Sequence, residues 1–377
     1  MNLKDKYCIV GVGMTKVGRV PGVNSYGHNL EAIKYAIEDA GLDKTEVDGV
    51  LTKAPTSGFT MLYSAKIAQL LGISPKVTLT IDAAGATNAM MVQYAMMAID
   101  AGLCNTVVCS YGDNPRSGPP GTYARARGSD AAYGMFGAPS GYALIAQRYM
   151  REYGTTSRQL GSIAVACRKH ACMNPNAQMY DRPMTIEDHQ NSRLVVEPLR
   201  LLDCCLVSDG GAAVVVTSAE RAGSLSKPPV YIMGMGQSHP TTEIGQRYPI
   251  TESGAKGSAE IAFRMAGIVP RDVDVAEIYD CFTITVLMTL EEYGFCRKGE
   301  GGPFVEGGRI ELGGELPINT AGGLLSETGM PGMQLIVEAV RQLRGEGEAR
   351  QVKDAEIAVV SNQGGIMTTH ATLVLRR

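Results

Sequence analysis

Short apolar runs that stop at glycine alternate along this chain with longer stretches whose apolar positions recur every three or four residues. That alternation predicts strands interleaved with amphipathic helices, a mixed α/β fold. Residues 7–13, Tyr-Cys-Ile-Val-Gly-Val-Gly, read as a first strand, and Ser25–Ala40 has helical spacing and a glycine stop at Gly41. Residues 47–51 form a short strand, and 77–82 another that turns at Ala83-Ala84-Gly85-Ala86-Thr87 into a helix over 88–101, before a strand at 106–110. The 88–101 helix is apolar on nearly all sides, which predicts burial between layers.

The pattern then repeats. Ala40-Gly41-Leu42 … Val47-Asp48 returns as Ala266-Gly267-Ile268 … Val273-Asp274, each time after a helix and before a strand. In the second half a strand at 316–319 turns at Ala321-Gly322-Gly323 and leads to a helix at 333–343 and a strand at 356–361. A duplicated α/β unit is the simplest account. The halves divide as 1–227 and 228–377, with Pro228-Pro229 at the crossing. Between the first half's strands lies an insertion of about 111–202, rich in Gly, Pro, Arg and Tyr at its start and helical at 141–153 and 157–170. Such a segment suits a lid that contacts substrate.

Composition narrows the field. The chain has 377 residues, 45% of them hydrophobic, enough for a large core, and its net charge of −3 gives no basic footprint for nucleic acid. No apolar run is long enough to span a bilayer and no secretion signal opens the chain, so a cytoplasmic protein with its nine cysteines reduced is expected. Gly11-Val12-Gly13 lacks the third glycine of a dinucleotide fingerprint, since position 16 is Lys. Cys167, His170 and Cys172 fall on a helix and read as core packing, so no metal site and no bound cofactor are expected.

Chemistry concentrates at the strand 274–282, Asp-Val-Ala-Glu-Ile-Tyr-Asp-Cys-Phe. Two titratable side chains and a thiol at the end of a buried strand are costly unless something uses them. Tyr279, Asp280 and Cys281 are therefore the candidate catalytic residues.

The duplicated half with its buried helix, together with several motifs, resembles the thiolase superfamily. The motifs are Ile9-Val-Gly-Val-Gly-Met14, Arg168-Lys-His-Ala171, Asn174-Pro175-Asn176-Ala177, Leu202-Asp203-Cys204-Cys205, Ser208-Asp209-Gly210-Gly211-Ala212, Tyr279-Asp-Cys-Phe282 and the 319–326 turn. The match is nearest to the sterol-carrier-protein-type members and to thiolase-like proteins that pair with a small zinc-ribbon/OB-fold subunit. The resemblance implies the thiolase fold: two duplicated mixed-sheet halves in an αβαβα layering, with an inserted loop domain. It also implies an acyl-CoA thioester as substrate, a homodimer and that partner subunit. The strands 106–110 and 212–217 are expected to present apolar sheet surface in a monomer, a further motive for the dimer.

Where this chain departs from the family, the departures are chemical. The family's nucleophilic cysteine at the tip of the first buried helix is matched here by Gly85, which forms no acyl-enzyme. The loop that should carry an activating histidine reads Leu325-Ser326-Glu327-Thr328-Gly329-Met330-Pro331-Gly332, and the family's His-Asp-Cys-Phe has become Tyr279-Asp-Cys-Phe282. What remains fits retro-aldol cleavage of a 3-hydroxyacyl-CoA, which needs a base and an oxyanion hole but no nucleophile. On this reading Tyr279 is the acid/base and Asp280 orients backbone or water. Gly364 and Gly365 supply oxyanion donors, Gly85 leaves room for a bulky acyl group, and Asn319 and Ser326 line the substrate site. An acyltransferase using Cys281 and a non-catalytic acyl-CoA-binding subunit are the competing readings. His170, His189, His239 and His370 are expected to be structural.

Overall fold

The computed structural model describes residues 3–58, 60–119, 129–135 and 137–377. The Gly-, Pro- and Arg-rich centre of the expected lid, 120–128, lies outside the described residues. In the first half β1 (Tyr7–Met14) leads to α1 (Ser25–Ala40), β2 (Gly49–Lys53), α2 (Tyr63–Leu71), β3 (Val77–Ile81), α3 (Thr87–Asp100) and β4 (Thr106–Asp113). The insertion follows as α4 (Ala138–Tyr153), α5 (Ser157–Cys172), α6 (Ile186–Asn191) and a small hairpin of β5 (Leu194–Val196) and β6 (Leu199–Arg200). β7 (Gly210–Ser218) and the single turn α7 (Ala219–Ala222) close this half. The second half runs β8 (Val230–Ser238), α8 (Ala255–Ala266), β9 (Val275–Ile278), α9 (Thr283–Glu292), two short turns α10 (Gly301–Phe304) and α11 (Gly323–Ser326), then α12 (Met333–Arg344), β10 (Ile357–Gly364) and β11 (Thr369–Arg376).

The expected duplication is visible in the sheet. Its order is β3-β2-β4-β7-β1-β8-β11-β10-β9, so the second half repeats with four strands the order that the first half sets with five, and the two join antiparallel at β1 and β8. β2 is parallel to β4 and β9 to β10, and in both halves the two pairs nearest the junction are antiparallel. α3 packs on β2, β4 and β7 of its own half and on β10 and β11 of the other, and α12 packs on β1, β7, β9 and β10. These two helices are therefore the central layer, with α1 and α8 outside, as the apolar all-round sequence of 88–101 predicts.

Gly11 and Gly13 take their meaning from this layering. A Cβ at Gly11 would lie 2.1 Å from the Ala36 carbonyl, and one at Gly13 2.3 Å from that of Ala32. Gly234 and Gly236 repeat the relation with Ala262 and Ser258 at 2.1 and 2.0 Å. The Gly-x-Gly pair is thus a close-packing device for the outer helix, used once per half.

Two expectations need correction. The strand expected at 316–319 is reduced to one bridge, Ala276 with Ile318. Pro317 has no N–H to continue a ladder, and Asn319 turns to φ 47° immediately afterwards. The strands proposed as an exposed apolar surface, β4 and β7, are interior and buried. The unpaired edge of the first half is β3, whose Leu79 is 44% exposed.

Candidate active site

The end of β9 delivers three side chains alternately to two sides of the strand. Tyr279 is held by its backbone: its N–H donates to the Ser361 carbonyl on β10 at 3.0 Å, and its own carbonyl accepts from Thr285 Oγ1 at 2.8 Å. The side chain is 8% exposed and crosses to the first half. There the turn after β3 is built by Thr87, whose hydroxyl accepts from Ala83 N and donates to the Ala84 carbonyl, both at 2.7 Å. The turn ends in Gly85, at the N-terminus of α3. A Cβ on Gly85 would fall 2.5 Å from both Cζ and the hydroxyl oxygen of Tyr279, and 2.3 Å from the Gln363 carbonyl. The space expected to admit a bulky acyl group is therefore filled by the phenol and by β10. Glycine stands at 85 because no side chain fits beside Tyr279.

Cys281 lies on the same side as Tyr279. Burial pushes its thiol up to about 12, and the Gln363 side-chain amide donates to Sγ at 3.0 Å. No base among the described residues faces it, so it is not an activated nucleophile. Gln363 is in turn held by the Tyr142 hydroxyl from α4, at 3.1 Å to Oε1 and 2.9 Å to Nε2, and the Tyr142 ring stacks on Phe282 at 4.4 Å. The Tyr142 hydroxyl also donates to the Gly365 carbonyl at 3.0 Å. Sequence reasoning named neither Tyr142 nor Gln363 as a site residue; Gln363 comes in beside Gly364 at the end of β10, and Tyr142 from α4 through its bonds to Gln363.

Asp280 points the other way. Its carboxylate accepts from the backbone amides of Leu324 (2.7 Å) and Leu325 (3.2 Å), and burial lifts its pKa to about 6. It anchors the 319–326 turn. The same turn absorbs both residues expected to line the substrate site. The Asn319 amide is spent on Ile278, donating to its carbonyl at 2.9 Å and accepting from its N–H at 2.7 Å, a side-chain substitute for the missing strand. The Ser326 hydroxyl accepts from Arg168 Nε at 3.0 Å.

The structure thus brings together Gly85, Tyr279, Cys281, Gly364 and Gly365, and sets Asp280, Asn319 and Ser326 apart as a scaffold. Gly364 packs on the Gly85 turn, a Cβ there meeting the Ala83 carbonyl at 2.3 Å. Among the histidines, His170 uses Nδ1 on the Asn319 carbonyl and accepts the Leu312 amide at Nε2, which assigns its ring to scaffolding. His189 bonds Asp203 at 2.8 Å, both fully buried. His370 bonds the hydroxyls of Ser361 and Tyr293, and burial lowers its pKa to about 3. His239, on an exposed segment, bonds Thr369 and Gln237. The loop that lacks histidine seats Met330, buried, and its Pro331 carbonyl accepts from Asn88 on α3.

Comparison with known proteins agrees with this architecture. Residues 7–220 match the family model "Thiolase, N-terminal domain" and residues 236–377 "Thiolase C-terminal domain-like". A steroid side-chain-cleaving aldolase of Thermomonospora curvata is 40% identical over 96% of each chain. A 17-hydroxy-3-oxo-4-pregnene-20-carboxyl-CoA lyase of Mycobacterium tuberculosis is 39% identical over 97% of this chain and 98% of that one. The solved Ltp2-ChsH2(DUF35) aldolase superposes with a TM-score of 0.91 at 38% identity, covering 99% of this chain and 98% of that one.

Proposed function

The chain belongs to the thiolase family, and from that premise we propose that it cleaves a carbon–carbon bond in an acyl-CoA thioester by a retro-aldol step with no covalent cysteine intermediate. The observation that carries this reading is the shared space at Gly85. The position where the family forms its acyl-enzyme holds the Tyr279 phenol instead, so a nucleophile has been exchanged for an acid/base group. The 3-hydroxyl of the substrate loses its proton to the Tyr279 phenolate, which becomes the phenol, as C3 becomes a carbonyl. The C2–C3 bond breaks and its electron pair becomes the thioester enolate, which takes a proton at C2 from the phenol and restores the phenolate. The N-terminus of α3, beside the phenol, favours negative charge there.

The relatives' names, an aldolase and an acyl-CoA lyase, support this assignment over an acyltransferase, as does the unactivated Cys281. A branched or ring-bearing acyl group is the substrate class we extend from those names. No helix among the described residues is long and apolar enough to cross a membrane.

Two partners belong to this reading. The name of the superposed aldolase carries a second component, and a small zinc-ribbon/OB-fold subunit is the counterpart we assign to this chain. The second is another copy of this chain, paired along β3. This edge has no proline or charge to block pairing, and exposed Met61 and Leu62 lie in the segment just before α2, which packs on it.

The deciding experiment gives the purified protein, with any co-purifying subunit, a 3-hydroxyacyl-CoA and, separately, a 3-oxoacyl-CoA plus CoA. Release of a carbonyl product and a shortened acyl-CoA from the first alone, with the intact mass of the chain unchanged, is expected. Thiolysis of the second with an acyl adduct on Cys281 would replace this reading by the acyltransferase one.

A further inference from the structure

The turn between β10 and β11 has its carbonyls held from behind. Thr368 N donates to the Gly364 carbonyl at 3.0 Å and the Tyr142 hydroxyl to that of Gly365 at 3.0 Å. Arg247 Nη1 donates to the carbonyls of both Ile366 and Met367, each at 2.7 Å, and its Nη2 reaches the Ile250 carbonyl at 3.0 Å. In a planar trans peptide the N–H points opposite the carbonyl. With the carbonyls of Gly364 and Gly365 held, the amides of Gly365 and Ile366 in the same peptides point away from Thr368 N and the Tyr142 hydroxyl. Those two amides have no acceptor among the described residues. Adjacent N–H groups facing one way form an anion-binding concavity.

Arg247 itself is unusual. Its side chain is buried, 6% exposed for the residue, yet among the described residues no carboxylate lies within ion-pair distance. Its Nε has no partner. Glu292, the acid whose charge acts on it, accepts at its carboxylate from the Ser253 hydroxyl at 2.7 Å and the Lys256 amide at 3.3 Å. A buried cation without a counter-ion is costly, and the cost falls when negative charge forms nearby. A thioester is neutral until its enolate forms, so such a charge favours the transition state over the bound substrate.

We propose that Arg247 is a positioning residue for enolate formation: it holds the Gly365–Met367 turn so that the amides of Gly365 and Ile366 receive the thioester oxygen, and its unpaired charge stabilises the enolate through that turn. This inference rests on the carbon–carbon cleavage reading for the identity of the anion, but it is tested by a separate reaction. Exchange of the C2 hydrogens of acetyl-CoA and propionyl-CoA in D2O, followed by NMR, reports enolate formation without any bond cleavage. Arg247→Met is expected to slow this exchange and 3-hydroxyacyl-CoA cleavage together, by about 10²-fold, the usual effect of losing an oxyanion donor, with KM little changed. Arg247→Lys retains the charge but not the fork, and a roughly tenfold loss of exchange is expected on the same reasoning; if Arg247→Met does not fold, this variant decides. A parent protein that does not exchange, or a folded Arg247 variant that exchanges within about threefold of the parent, overturns the proposal. Exchange that depends on Arg247 in a protein that cleaves no 3-hydroxyacyl-CoA leaves the inference standing and removes the cleavage reading instead.

Discussion

The two halves of this protein end their equivalent strands in opposite ways. In the first half the end of β4 is closed. Asp113, fully buried, accepts the amides of Thr56 and Ser57, and Asn29 of α1 fills the adjoining space by bonding Ser110, Tyr63 and the Gly112 carbonyl. Lys53 at the end of β2 pairs with Asp82 at 3.3 Å. In the second half the corresponding ends of β9 and β10 carry groups left unbalanced: an arginine without a carboxylate, a thiol and a phenol packed against a helix N-terminus, and a histidine whose Nδ1 has no partner. Both halves were available to hold a site. The end whose charged groups are bonded or paired, Asp113 and Lys53, has become scaffold, and the end that keeps a buried arginine with no carboxylate in ion-pair range is the place where chemistry is expected.

The largest effect that sharpens this contrast is removal of the Tyr279 hydroxyl. Tyr279→Phe keeps the ring against Gly85, so folding and CoA-ester binding are expected to hold. Turnover is expected to fall roughly 10²–10⁴-fold, the range for a lost general acid/base, with KM moving little. Steady-state kinetics on a 3-hydroxyacyl-CoA decide it; turnover within a few-fold of the parent would assign the proton to another group and erase the asymmetry between the halves.

How much of this was legible in the sequence follows from the kind of contact involved. The duplication was, because strand and helix periodicities repeat locally at 40–48 and 266–274. The importance of the Tyr279 strand end was also legible, since three polar residues closing a buried strand are conspicuous. What Gly85 is for was not: its partner is a phenol from the other half, and a steric exclusion between residues so far apart leaves no local pattern. Asn319 and Ser326 looked like site residues because polar groups in a glycine-rich turn usually face solvent or ligand. Pro317 breaks the strand beside Asn319, whose polar atoms are consumed repairing the break, and the Ser326 hydroxyl is taken by Arg168. Arg247 lies in a loop with no motif, and its oddity is visible only once the absence of a nearby carboxylate is known.

A second, smaller effect concerns the acids buried behind the site. Glu277 and Glu338 flank the Thr320 hydroxyl at 2.9 and 2.8 Å, and Arg350 is committed to Glu338 at 2.9 Å. Burial, with the Glu338 charge adding to it, lifts the Glu327 pKa to about 8 and pushes Glu277 in the same direction. A carboxyl whose folded pKa is raised keeps its proton in the native state after the unfolded chain has released it. Stability is therefore expected to fall as pH rises from about 4.3, the ordinary glutamate value, towards 8, by up to a few kcal/mol. Glu327→Gln should flatten that fall and raise the melting temperature at pH 8. A steeper decline in the variant than in the parent would mean that Glu327 is ionised in the native state.

The smallest effect tests the closed half. Asp113→Asn keeps the shape of the side chain but removes the charge that the amides of Thr56 and Ser57 bond, at 2.6 and 3.1 Å. Its nearest hydroxyls, Ser57 and Tyr111, would then face an NH2 group where they now find an acceptor. The loss expected for a mismatched buried group is about 1–3 kcal/mol, read as a lower midpoint in urea with an unchanged slope. Because this network ends on α1 and the 56–57 segment and reaches neither the phenol nor the β10–β11 turn, the folded variant should turn over substrate at the parent rate. A variant of normal stability would show that Asp113 is not what closes the first half. One that is stable but slow would place part of the active site at the end of β4, where the comparison of the two halves predicts none.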